Sequence, residues 1–337
     1  MNLQTIVFGG WICLHLAGES YVWAFLRGTI HPSRSPFSTP VHRVSSVATS
    51  SEDTKTHHQV KGIDCVEVTI TLPSIGNVTI LEATAAAQET LVDLALLEDG
   101  DDVSPDQSLI EGTLATGDPY GAVLWPAASV VAQRLLAELE RRPGEEITMV
   151  ELGAGTGLVS LAALQAGCQR VVATDYEQIP LDLLQYAAQH LNPSITAEEN
   201  GIHQRLTCQH LDMLDMENQP LPAHADYVVA ADVMYEPKTG RAVAHRVVEA
   251  LKNNSTVIVG DSPGRAGRPA FLEELNSLLK TESLDFTDTN GWTVTGDRNE
   301  LICSPESPTV GKRKGDGPQP LTVAILKLDP QSLALPA

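Results

Sequence analysis

Basic residues are scarce in this chain. Lys+Arg number 22 against 43 Asp+Glu over 337 residues, a net charge of -21. A protein that binds a nucleic-acid duplex neutralises phosphates with a basic footprint. This chain as a whole repels them, so no nucleic-acid partner is expected. A basic protein partner would instead be steered toward such a surface, although acidity also serves plain solubility. Cysteine is thin too. Cys13, Cys65, Cys168, Cys208 and Cys303 form no C-x-x-C pair, which excludes a spacing-defined zinc site or disulfide framework and leaves buried thiols as the default. The ten histidines show no metal-ligand spacing, so no metal is expected. There is no G-x-S-x-G elbow of a serine hydrolase. What is present is 42% hydrophobic residues, enough for a sizeable core, in a length that accommodates about two ordinary domains.

The first residues read as an address. Residues 1–51 hold Arg27, Arg34 and Arg43 against Glu19, a net of +2, so the remainder carries -23. Thr5 to Gly18 is apolar, too short for a membrane span of roughly 20 residues but suited to a signal-peptide core. Cleavage is expected after Ala24, which makes 1–24 a signal peptide. Phe25 to Ser51 is rich in Ser and Thr and has no acid, the composition of a transit peptide, assigned to 25–55 with its linker. The pair, joined at Trp23-Ala24-Phe25, resembles the two-part plastid presequences of diatoms and related algae. Plastid import is the expectation, a plain secretory signal the alternative, and no membrane association is expected once the presequence is removed.

After the address, Cys65 to Leu72 alternates apolar and polar residues and reads as a strand, with a turn at 73–77 and a return strand at 78–81. Ala83 to Leu97 is helix-prone. Residues 60–117 thus form a hairpin-and-helix extension. From Pro126 onward helices and strands alternate. Strands are expected at 147–152, 170–174, 206–211, 227–231, 256–260 and 321–328. Helices are expected at 158–166, 180–191, 239–252 and 269–280. Such alternation specifies a mostly parallel sheet wrapped by helices, here with an antiparallel last strand. Residues 304–320 read as a flexible insert.

The run Glu151-Leu152-Gly153-Ala154-Gly155-Thr156-Gly157 follows a strand and opens a helix. Glycines let the backbone turn sharply and approach a ligand, and the helix N-terminus offers unpaired N–H groups. A dinucleotide fingerprint, G-x-G-x-x-G, would need glycine where Leu158 stands. The E-x-G-x-G-x-G form instead resembles motif I of class I S-adenosyl-L-methionine (AdoMet) methyltransferases. Three further segments widen the resemblance. Asp232-Val233-Met234-Tyr235 looks like the D-x-x-Y motif after the fourth strand of methyltransferase family 16, the seven-strand lysine methyltransferases. Gly121 to Trp125 resembles their G-x-x-x-W segment. Gly260-Asp261-Ser262-Pro263-Gly264-Arg265-Ala266 is similar to a G-D-P-G-R-A stretch of the electron-transfer-flavoprotein β-subunit lysine methyltransferases, with Ser262 inserted.

The resemblance covers about 118–330 and implies a Rossmann-like α/β domain with a seven-strand sheet. It implies AdoMet as cofactor and a protein substrate with an accessible lysine as partner. Glu151, Gly153, Gly155 and Gly157 would hold the methionine end of AdoMet, and Asp175 the ribose. Asp212 and Met213 would lie at the adenine, Met213 standing where many relatives have Trp. Trp125 would flank the donor, and Asp232 and Tyr235 would face the acceptor. Holding amine and methyl in a near-attack pose can supply about 7–11 kcal/mol. Deprotonating a lysine of pKa near 10.4 costs roughly 3 kcal/mol at pH 8, and Asp232 is the expected proton relay. Structural readings stand beside these: Asp232 as N-cap of the 239–252 helix, Tyr235 as a core aromatic, Trp125 as a packing residue. A small-molecule N-methyltransferase and a non-catalytic AdoMet-fold scaffold are the alternative functions.

Overall fold

The computed structural model describes residues 56–98, 119–192, 195, 205–281, 299–302 and 320–330, together with the backbone of three short N-terminal strands. Those strands, β1 (Gln4–Phe8), β2 (Trp11–His15) and β3 (Tyr21–Phe25), pair as an antiparallel sheet in the order β1-β2-β3. The expected transit segment and the 304–319 portion of the expected insert lie outside the described residues.

A second antiparallel sheet follows, built from β4 (His57–Val60), β5 (Ile63–Leu72) and β6 (Gly76–Ala83). The expected hairpin is its β5–β6 half. Strand β4 was missed because its signal is short. The clue is Lys61-Gly62, a two-residue connection between Val60 and Ile63 in which both residues have positive φ, 51° and 83°. That is the backbone twist a tight hairpin requires. Alternation in β5 buries Val66, Val68, Ile70 and Leu72 and turns Thr69 and Thr71 outward. Thr84 accepts the Ala87 N–H on its hydroxyl and starts α1 (Ala85–Glu98), two residues later than the periodicity implied.

The main domain is a seven-stranded sheet in the order β12-β13-β11-β10-β7-β8-β9. Five strands run parallel: β7 (Thr148–Leu152), β8 (Arg170–Asp175), β9 (Leu206–His210), β10 (Tyr227–Ala231) and β11 (Thr256–Asp261). Strand β13 (Pro320–Leu328) is antiparallel to β11, as expected for the last strand. Strand β12 (Asn299–Ile302) pairs antiparallel with β13. It was not singled out in the sequence. The central strands are apolar along their length because both faces are covered. Met149, Val171, Val229 and Ile258 point to one core, and Val150, Val172, Val228 and Val257 to the other.

The first core is closed by α2 (Pro126–Leu139), α3 (Leu158–Gln165) and α4 (Gln178–His190). The second is closed by α5 (Pro237–Lys252) and α6 (Gly267–Thr281), through Val247, Leu251, Phe271 and Leu275. Pro126 and Pro237 sit in the first turns of their helices, where the missing N–H costs nothing. Both expected helices of the second core start two residues earlier than their apolar periodicity showed, since a first turn need not carry core residues. Among the described residues no helix is long and apolar enough to cross a membrane. Cys65 and Cys168 are free and buried, and burial pushes both thiols up to about 12.

The β4–β6 sheet packs against the first helical layer and shares its core. Asn192 joins the two. Its side chain accepts the Thr79 N–H (3.0 Å) and donates to the carbonyls of Thr79 (2.8 Å) and Ala187 (2.9 Å). Gln165 donates to the carbonyls of Ile75 and Asn77, and Glu82 accepts the Leu124 N–H at 2.6 Å. Asn192→Ala leaves the Thr79 peptide without its partners and is expected to cost about 2–3 kcal/mol in urea unfolding, with earlier proteolytic cleavage within 56–83.

Candidate functional site

In an open α/β sheet, ligands bind outside the carboxyl ends of the strands, where the strand order reverses. Here the reversal lies between β7, which leads to β8 on one side, and its other neighbour β10. The glycine loop leaves β7 at that crevice, and Asp232 and Val233 leave β10 across from it.

Two glycines of the loop are irreplaceable on geometry. Gly153 has φ 64°, and an added Cβ would lie 2.5 Å from Val233 Cγ1. Gly157, the left-handed N-cap of α3, has φ 78°, and its Cβ would lie 2.2 Å from Leu184 Cδ1. Side chains in both places would strain the backbone and displace the opposite wall. Gly155 donates its N–H to Asp175 Oδ2 (2.9 Å), while Asp175 Oδ1 accepts from the Glu177 N–H (3.1 Å). The end of β8 and the glycine loop are therefore one unit, with Asp175 beside the loop.

Glu151 sits differently from its expected place at the methionine end. Its carboxyl is buried, and Oε2 accepts both the N–H and the hydroxyl of Ser160 in the first turns of α3. It secures the loop to the helix. Burial pushes it up to about 8, against the lowering effect of the Ser160 bonds. The segment after β9 holds Asp212 and Met213. The space beyond Gly153 is bounded by the Met213 methyl, 3.8 Å from the built Cβ, so the thioether does face the crevice. Asp212 Oδ1 accepts the Leu214 N–H. A residue overlooked in the sequence holds this segment in place. Arg246 of α5 is fully buried and donates to the carbonyls of Asp212 (3.1 Å), Met213 (3.2 Å) and Asp215 (3.3 Å). A charged residue on the apolar face of a periodic helix, as Arg246 is among Val243, Val247 and Ala250, was the available signal.

Asp232 is the largest correction. It was expected to face an acceptor amine and relay its proton. Its carboxylate is instead saturated: Oδ1 accepts from Ser262 N–H (2.7 Å) and Arg265 Nε (3.0 Å), and Oδ2 from Ala127 N–H (2.9 Å) and Ser262 Oγ (2.7 Å). Only 5% of the residue is exposed, and its φ is 59°, a strained value for a non-glycine residue. Nor does it cap the 237–252 helix, whose N-cap is Glu236. It caps α2 from across the chain, through Ala127. Ser262, an insertion by motif, supplies two of the four donors. Trp125 is half-buried, with Nε1 donating to the Tyr120 carbonyl (3.0 Å) and the Arg265 guanidinium 4.4 Å above its ring. Tyr235 is 48% exposed on the rim, so it is not a core aromatic. Next to Asp232, the Asp261 carboxyl is pushed up to about 7 by burial, opposed by Arg268, which donates to it at 2.9 Å. No group of three or more metal-ligating side chains occurs among the described residues.

A sequence model of the lysine methyltransferase family matches residues 106–278, just over half of the chain. The chain belongs to the lysine methyltransferase family. The glycine loop, Asp175, Asp212, Met213, Asp232 and Tyr235 all fall inside the matched region. Mouse (Mus musculus) protein-lysine methyltransferase METTL21E is 32% identical over 127 residues, 35% of this chain and 46% of that protein. The electron transfer flavoprotein beta subunit lysine methyltransferase of Xenopus laevis is 24% identical over 187 residues, 52% of this chain and 69% of that one. Mouse histone-arginine methyltransferase METTL23 is 29% identical over 142 residues, covering 41% and 51%. The chain thus spans less than half the length of the first of these relatives. Among solved structures, magnesium protoporphyrin IX methyltransferase from Synechocystis is similar at 16% identity and a TM-score of 0.37, covering 60% of this chain and 81% of that one.

Glu151 and Asp261 hold protons more tightly folded than unfolded, where a carboxyl titrates near 4–4.5. Between those values and about 7–8 the native state binds more protons, so stability falls as pH rises. The melting temperature is expected to decline from pH 5 to pH 8, and Glu151→Gln to flatten much of that decline in a calorimetric pH series.

Proposed function

We propose that this chain is an AdoMet-dependent protein-lysine N-methyltransferase. The observation that carries the reading is the junction of the glycine loop and Asp175 at the strand-order reversal, in a chain of the lysine methyltransferase family. The residues fit the donor. Gly153 and Gly157 let the loop pass close beneath its neighbours, Asp175 offers a carboxylate at the end of β8, and Met213 supplies a polarizable wall. AdoMet, when bound, supplies an electrophilic methyl on a sulfonium whose charge disappears in the transfer. The protein's part is orientation and exclusion of water. Trp125 flanks the donor, and Tyr235, exposed at the rim, is the residue we assign to meet an incoming amine. The net charge of -21 favours approach of a lysine-bearing, basic segment.

The deciding assay incubates the full chain with radiolabelled AdoMet and a plastid extract, followed by a denaturing gel and amino-acid analysis of the labelled band. Base-stable label recovered as methyl-lysine is the expected result. Methyl-arginine would move the acceptor to the chemistry named for METTL23. Label confined to small molecules would make the protein a metabolite N-methyltransferase, and the absence of transfer together with AdoMet binding would leave a scaffold. Asp175→Ala removes charge-assisted bonds worth about 1.5–3 kcal/mol, so AdoMet affinity by calorimetry is expected to drop roughly 10–100-fold. The extract is chosen because we read residues 1–55 as a plastid presequence, and a fluorescent fusion of that segment entering the secretory pathway without reaching plastids would overturn that choice.

A further inference from the structure

Arg265 lies in the connection between β11 and α6, and its side chain is 14% exposed. Two contacts fix it. Nε donates to Asp232 Oδ1 at 3.0 Å, and its guanidinium carbon sits 4.4 Å from the centroid of the Trp125 ring. Trp125 is fixed in turn at its edge, by its Nε1 bond to the Tyr120 carbonyl and by the edge-on Tyr120 ring at 6.4 Å. Asp232 has no accepting capacity left for an amine, since Ala127, Ser262 and Arg265 supply four donors to its two oxygens.

We propose that Arg265 is a positioning residue for methyl transfer, and that Asp232 acts through it by clamping the guanidinium over the Trp125 ring. This rests on the methyltransferase reading. The clamp sets the plane of the indole that walls the crevice, and Ser262 and Ala127 fix the clamp. Asp232 moves no proton at the acceptor. A cation over an indole face is attracted by the ring quadrupole, and a planar guanidinium held through Nε by a carboxylate is oriented more tightly than a flexible ammonium would be. Misplacing a wall of the site by about 1 Å is enough to cost on the order of 100-fold in rate.

The test uses the full chain and the labelled acceptor band from the transfer assay, with Asp232→Asn, Arg265→Met, the double variant and Arg265→Lys. The expected result is a loss of about 10–100-fold in kcat for each single change, with the double variant no worse than the weaker single. The acid limb of the pH–rate profile stays where the unaltered chain has it, and Arg265→Lys recovers part of the rate. The Trp125 fluorescence, read as the difference from Trp125→Phe, shifts alike in Asp232→Asn and Arg265→Met. An Asp232→Asn protein that loses the acid limb while Arg265→Met keeps full rate and unshifted emission would overturn the proposal. If Asp232→Asn does not fold, unshifted emission and full rate in Arg265→Met suffice to reject it. AdoMet calorimetry on the unaltered chain separates the two readings. No binding there defeats the methyltransferase function alone, and the shared emission shift then decides the clamp by itself.

Discussion

A buried carboxylate survives in a protein only when donors replace the water it has lost, and Asp232 is the point where this molecule meets that constraint. Its two oxygens collect an N–H from the start of α2, an N–H and hydroxyl from the end of β11, and a guanidinium from the loop beyond. Each of these segments is distant in sequence, and each is fixed by the same group. The strained φ of Asp232 is held by that convergence, together with its own N–H bonded to the Gly260 carbonyl at 2.8 Å. One side of the crevice is built around this one residue, as the other is built around the glycine loop.

The glycine-loop side follows the same logic with different parts. Asp175 and Glu151 each tie the glycine loop to a neighbour, one to the end of β8 and one to α3. Arg246 reaches the 212–215 segment from the opposite helical layer. The loops around the crevice are therefore braced by side chains rooted in helices and strands. Even the β4–β6 sheet takes part. Glu82, fully buried, accepts the N–H of Leu124, next to Trp125.

Much of this architecture was legible because it depends on local pattern. Apolar runs of strand length, separated by helix-period segments, define β7 to β11 and their helices wherever both faces of a strand are buried. The glycine loop is legible because only glycine reaches φ 64° and 78° with walls so close. Strand β4 and strand β12 were not seen, since four residues carry too little periodicity to stand out. The Lys61-Gly62 turn was the one available sign of β4. Ser262 looked like an insertion because motif comparison counts residues, whereas the structure spends that residue on two bonds to Asp232.

The sequence by itself determined the parallel sheet, the antiparallel last strand, the glycine loop and the set of residues gathered at its mouth, because periodicity, glycine placement and strand-end acids are properties of neighbouring residues. Only the tertiary structure decided what those residues do. Whether Asp232 is open to an amine or saturated, whether Glu151 meets the crevice or α3, and which surface Arg265 covers depend on partners between 9 and 140 residues away in the chain. A carboxylate's role is set by the donors and the water around it, and the packing of distant segments decides both.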